Sequence, residues 1–197
     1  FLQRLGTTAT LAPLTNSHFP FLTETVSADT DKLIQNFVAS NDISIENLLA
    51  RQEKDTKHPG HGGITNGYGI HNSQNTSGFL QRLSCGFVSE SSRFYQSKSL
   101  LEPMLHASEY LLRVQHPDGT IDLHTTNFHS TPDVAFTVEP VSLAYTLLNT
   151  YAPATTEAIQ TNLQSYLENG GKALSVGGVH TPNHRWVVCM ALARVNH

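Results

Sequence analysis

Apolar residues recur along this chain at helical spacing, broken at intervals by polar loops. Leu33, Ile34, Phe37 and Val38 mark an amphipathic helix over 27–39. Asn41 or Asp42 then offers a cap for a second helix carrying Ile45, Leu48 and Leu49. Phe79, Leu80, Leu83, Phe87 and Val88 predict a helix over 77–90. Leu100, Leu101, Met104, Leu105, Leu111 and Leu112 predict another over 99–115. From 133 to 151 the chain is nearly all apolar, and Pro140 either kinks that helix or opens a shorter one near Glu139. Ile159, Leu163, Tyr166 and Leu167 form a narrow stripe on a surface helix, which Gly170-Gly171 is expected to stop. A last apolar helix runs over 184–195.

The apolar character alternates. Helices over 133–151 and 184–195 are hydrophobic round most of their circumference and call for burial on every side, whereas those over 99–115 and 155–168 have one apolar face. Asn75, Asn127 and Asn183 stand before the helices near 77, 133 and 184, at spacings of 52 and 56 residues. Spacing of that size fits repeated helical hairpins, with inner helices in a ring and outer helices covering them. Strand signals are scarce, with room for one short strand near 121. The expected fold is all-α, an incomplete α/α toroid, with a plain helical bundle as the alternative.

Composition narrows the function. Only 14% of residues are charged and the net charge is −4, with no long basic run, which argues against a nucleic-acid partner. No segment is apolar enough for membrane insertion. Residues 1–14 resemble the part of a twin-arginine export signal that follows the arginine pair, though the pair itself is absent. The expectation is therefore a leader over 1–26 and an exported, periplasmic or secreted domain over 27–197, itself a fragment of a longer protein. Cys85 and Cys189 both sit in apolar segments and read as small buried hydrophobes rather than a disulfide pair.

Three loops interrupt the helices: 58–72 with five glycines, 121–132, and 177–186. In a ring whose inner helices all begin at one end, they meet over one cleft. They bring Tyr68, His71 and Asn75; His124, Asn127 and His129; and His180, Asn183, His184 and Arg185. Imidazoles are general bases near neutral pH, Asn and Arg bind or neutralise a carboxylate, and Tyr can give a proton to a leaving oxygen. These are the parts for β-elimination on a uronic-acid polysaccharide.

Together with the helical repeats, Thr126-Asn127-Phe128-His129-Ser130 and Thr181-Pro182-Asn183-His184-Arg185-Trp186 resemble motifs of polysaccharide lyases of the heparinase II/III and alginate-lyase kind. The resemblance implies an α/α toroid over about 30–197, followed by a β-sandwich beyond this chain. It implies Asn127 or Asn183 neutralising the uronate carboxylate and His129 or His184 as base. Tyr68 is placed as acid by position alone. Arg185, with His180, His71 and Asn75, would bind the anionic sugar, and Trp186 would stack on a ring. The partner is an acidic polysaccharide or oligosaccharide, and no cofactor is implied.

Three other readings use the same residues. A glycoside hydrolase would need paired carboxylates, drawn from Asp118, Asp122, Asp133 and Glu139. A metal site could draw on His180, His184, His124 and His129, but no HExxH or cysteine-pair motif is present and none is expected. A non-catalytic carbohydrate-binding module would need more aromatic platforms than the single tryptophan supplies.

Overall fold

The computed structural model describes residues 23–177 and 181–196, with side chains from residue 29 onward. Most of the leader expected over 1–26, and His180, lie outside the described residues. The chain divides into two compact units, 1–34 and 35–197, and the first is described only where helix α1 (Thr23–Leu49) begins. Leu33, Ile34 and Phe37 are each more than half exposed, so the stripe they form is largely open to solvent. Instead of two helices there is one. Asn41 and Asp42 do not cap a break, because the Asn41 amide donates to the Arg82 carbonyl at 3.0 Å and the buried Asp42 carboxylate accepts from Ser92 Oγ at 2.6 Å.

Five further helices follow: α2 (Ser73–Val88), α3 (Leu101–Val114), α4 (Thr131–Tyr151), α5 (Glu157–Ser175) and α6 (Pro182–Val195). A short 3-10 turn at Lys98–Leu100 leads into α3. The strands form two small antiparallel hairpins, β1 (Ile64–Thr65) with β2 (His71–Asn72), and β3 (Ile121–Leu123) with β4 (Asn127–Ser130). The chain is mainly helical, as the spacing of apolar residues predicts. None of the described helices is long and apolar enough to cross a membrane.

Helices α2 and α4 lie side by side and parallel. Gln74 Nε2 donates to Asp133 Oδ1 at 3.1 Å where they begin, and Phe87 and Val88 share a cleft with Leu147 and Tyr151 where they end. On the other side of the core α3 and α5 are also parallel, with Asn162 donating to Ser108 Oγ at 2.9 Å and Gln115 to the Tyr166 carbonyl at 3.1 Å. Two antiparallel helical hairpins, α2–α3 and α4–α5, therefore stand next to each other in the same sense. Leu80, Leu83, Met104, Leu111, Val138 and Leu163 are fully buried between the layers. The buried Tyr166 hydroxyl shares a 2.7 Å hydrogen bond with Thr137, which satisfies both groups away from water.

Each hairpin of helices is introduced by a β-hairpin built on the same plan. A fully buried isoleucine, Ile64 or Ile121, pairs in register with the residue that caps the next helix, Asn72 or Ser130. Asn72 Oδ1 accepts from the Asn75 amide at 2.8 Å, and Ser130 Oγ from the Asp133 amide at 3.4 Å. Two residues before each isoleucine stands a glycine with φ of +82°, Gly62 or Gly119.

Several expectations are corrected. Helix α4 is continuous through Pro140, so no shorter helix opens near Glu139, and α5 passes through Gly170 and Gly171 to Ser175. Those glycines serve close packing: a Cβ at Gly170 would come within 3.0 Å of Val134, and one at Gly171 within 2.8 Å of Val195. Helix α6 buries only Val187, Val188 and Ala191, while Trp186 is 80% exposed. The all-round burial expected of it is not met, because no described element covers its outer side. Cys189 is exposed for the same reason, and both cysteines are free thiols. His184 in the first turn of α6 lies edge-on to Phe136 of α4, and Val195 in its last turn lies against Gly171 of α5. Helix α6 thus reaches from the second turn of α4 to the last turns of α5.

Candidate functional site

The two β-hairpins each carry a pair of histidines, and the pairs correspond. His58 and His116 open the loops, each followed by proline. His71 and His129 each precede the cap of the following helix, and the step from one pair to the other is 58 residues in both cases. Because α2 and α4 are parallel and tied at their starts, both pairs stand at the same end of that layer.

In the second hairpin the histidines are locked to carboxylates. His116 Nε2 is 2.8 Å from Asp122 Oδ1, which also accepts from the His129 amide at 2.9 Å. His129 Nδ1 is 3.1 Å from Asp118 Oδ2. Asp118 Oδ1 is held by the Thr120 hydroxyl at 2.6 Å and the Thr120 amide at 2.9 Å. The two imidazoles stack at 3.8 Å. His129 adopts φ of +51°, a conformation uncommon for a residue with a side chain, and the bonds to Asp118 and Asp122 hold it there. With Nδ1–H donating to an ionised Asp118, Nε2 is left as the basic nitrogen on a side chain 58% exposed.

The carboxylates are set for that role. The Thr120 hydroxyl and amide, with a smaller contribution from His129, pull the Asp118 pKa down to about 2. Asp122 is also lowered: burial works against its charge, but the His129 amide and the His116 ring outweigh it. The Asp118 pKa in the folded chain lies below its ordinary value of 3.8, so its contribution to hairpin stability is complete above that pH and fades as pH falls toward about 2. Acid titration followed by NMR should show the Thr120 amide and the His129 ring losing their native shifts together in that window, while the core helices hold.

In the first hairpin the histidines are held apart from their carboxylate. Glu53 Oε2 is 3.8 Å from His58 Nδ1 and 3.8 Å from His71 Nε2, and the rings are tilted with centroids 5.1 Å apart. The Asp55 amide donates to Glu53 Oε1 at 2.9 Å and is the main reason the Glu53 pKa is lowered. Burial, followed by the charge of His58, lowers the pKa of His71 and favours the neutral imidazole. Gly60 makes room for that ring, since a Cβ there would fall 2.4 Å from His71 Nδ1.

A cleft of about 490 Å³ lies beside the second pair, lined by Ser73, Arg113, Gln115, His116, Asp122 and His124. Arg113 braces the first hairpin by donating to the His61 carbonyl at 2.6 Å. A larger hollow of about 660 Å³ between α5 and α6 holds, among the described residues, only Glu168 and Lys172 as charged groups, so the histidine-lined cleft is the candidate site.

The residues singled out in the sequence fall into distinct settings. Asn127 is exposed and donates to Ser130 Oγ at 3.3 Å beside His129. Asn75 braces the first hairpin by donating to the Thr65 carbonyl at 2.9 Å. Tyr68 stands 83% exposed at the tip of that hairpin. Asn183 accepts a short hydrogen bond from the Thr181 hydroxyl, and Asn183, Arg185 and Trp186 are exposed around the first turn of α6. His184 is half-buried against Phe136, with Nδ1 unpartnered among the described residues. Sequence reasoning gave no role to Glu53, His58, His116, Thr120 or Arg113. The signal for His58, His116 and Thr120 was the repeated string His-Pro, Gly, Ile, seen in His58-Pro59 with Gly62-Gly63-Ile64 and in His116-Pro117 with Gly119-Thr120-Ile121. In comparisons with known proteins the chain matches no family model, no curated protein and no solved structure.

Proposed function

We propose that the paired helical hairpins are an arc of an α/α toroid, and that the end bearing the histidines is the catalytic face of a lyase. The lyase cleaves a uronic-acid glycan by β-elimination. The observation that carries this reading is the Asp118–His129 dyad: a carboxylate holds Nδ1 and leaves Nε2 as the basic nitrogen of a side chain 58% exposed. In the reaction His129 Nε2 removes the proton α to the uronate carboxylate. Asn127 or Asn183 hydrogen-bonds that carboxylate as charge builds on it. Tyr68 delivers a proton to the departing glycosidic oxygen, and Arg185 holds a neighbouring acidic sugar. Tyr68, Phe128 and Trp186 are all strongly exposed, and each belongs to one of the three polar segments, where aromatic faces can stack on sugar rings.

Hydrolysis by paired carboxylates has weaker support. It needs one carboxyl protonated at working pH, yet hydrogen bonds hold Asp118 and Asp122 ionised. Asp133 is buried, tied to Ser130 and Gln74 at the start of α4. The test is a scan of acidic polysaccharides with the full-length protein, reading ultraviolet absorbance of the unsaturated uronate end. The expected result is absorbance rising with chain cleavage on at least one uronate polymer. New reducing ends without that absorbance would establish hydrolysis instead. Export to the periplasm or beyond fits a polymeric substrate, and finding the protein confined to the cytoplasm would contradict it.

A further inference from the structure

The two histidine pairs occupy equivalent places in the repeat, yet one is closed and the other is open. In the second hairpin imidazole and carboxylate meet directly, at 2.8 and 3.1 Å. In the first, Glu53 Oε2 stands 3.8 Å from a nitrogen of each ring, too far for a hydrogen bond to either. Donors about 2.1 Å from a shared ion lie roughly 3 to 3.6 Å from one another. One donor atom each from Glu53, His58 and His71 already fall within 4.8 Å of one another. We infer that Glu53, His58 and His71 form a binding site for a divalent transition-metal ion, a two-histidine, one-carboxylate set.

The surroundings fit ion binding. The Asp55 amide occupies Glu53 Oε1 and turns Oε2 toward both rings, as outer hydrogen bonds do for metal-ligating carboxylates. The Glu53 backbone is itself pinned on both sides, its amide donating to the Gly63 carbonyl at 3.1 Å and its carbonyl accepting from the Gly62 amide at 2.9 Å. Gly60 lets His71 approach, and its amide donates to His58 Nδ1 at 2.9 Å, so that nitrogen carries no proton. On binding, the ion takes the place of the Gly60 amide there. Imidazole with one carboxylate suits zinc, cobalt, nickel or ferrous iron better than calcium or magnesium. Three protein donors leave at least one position for water.

The probes are Zn²⁺ by calorimetry and Co²⁺ by visible absorption, titrated into the full-length protein near neutral pH. One equivalent should bind to this site. Glu53→Gln and His71→Ala should each weaken affinity by at least about tenfold, whereas His116→Ala, at the closed pair, should leave it unchanged. Circular dichroism reports whether each variant is folded, and Glu53→Gln, which keeps the side chain's size, decides the matter if His71→Ala is not. No saturable binding by the wild type, equal binding by Glu53→Gln, or an equal loss in His116→Ala would overturn the assignment. Activity on glycans is not read, so the outcome is independent of the lyase proposal.

Discussion

His129→Ala is expected to lower turnover of the uronate substrate by about 10²- to 10⁴-fold, the usual contribution of a positioned general base. The loss should fall on kcat, because the neighbouring cleft is lined by other residues and stays open to the sugar in the alanine variant. Asp118→Asn should reproduce much of it, on the order of 10²-fold or more. An amide can donate as well as accept, and it neither fixes the Nδ1–H tautomer nor stabilises the imidazolium that forms. Thr120→Val should act more mildly and in a diagnostic way. Without the hydroxyl at 2.6 Å, the Asp118 carboxyl moves back toward its ordinary range, so its acid titration shifts to higher pH, while turnover near neutral pH, where the carboxylate is ionised either way, falls far less than in Asp118→Asn. Kinetics for the three variants on the substrate found in the scan check these outcomes. Unchanged kcat in His129→Ala would remove the dyad from the mechanism.

The second large effect concerns folding. Gly119→Ala should destabilise the chain by about 3–5 kcal/mol, at the upper end of single substitutions. Two costs coincide there. A Cβ would lie 2.0 Å from the Asn169 carbonyl oxygen, a rigid backbone atom of α5, and φ is +82°, a region that side chains avoid. Gly62→Ala should behave alike, since its Cβ would lie 2.1 Å from the His106 carbonyl oxygen of α3 at the same φ. Denaturant unfolding measures both. Gly67→Ala is the control, because a Cβ there meets nothing within 4 Å, and it should change stability by less than about 1 kcal/mol.

The helices were legible because the core is made of long apolar side chains at helical spacing: Leu80 and Leu83, Leu163 and Tyr166 are the buried positions that the pattern marks. The breaks were less so. Gly170 and Gly171 read as a stop, but glycine also permits close helix approach, and only the neighbours Val134 and Val195 show which use applies. Asn41 and Asp42 read as a cap, but their partners Arg82 and Ser92 lie far along the chain. Trp186 falls in a helix whose apolar character called for burial on every side, yet it is exposed, because no described element covers that side of α6.

At the candidate site, His129 and Asn127 stood out in the sequence as polar residues before an apolar helix. Asp118 and Asp122 stood out only as candidate hydrolase carboxylates, not as the partners that define the histidine's state. Asp118 and Asp122 reach His129 only because the hairpin folds Ile121 back against Ser130, and Glu53 reaches His71 only because its backbone pairs with Gly62 and Gly63. Such partnerships depend on turn geometry, which spacing alone does not encode.

The central claim is that His129 Nε2 takes a proton from the carbon bearing the uronate carboxylate. It is tested most directly with a substrate deuterated at that carbon. If the claim holds, deuterium passes to solvent in step with each unsaturated end, and the reaction slows relative to the undeuterated substrate. Chain cleavage with the deuterium retained in the product would contradict it.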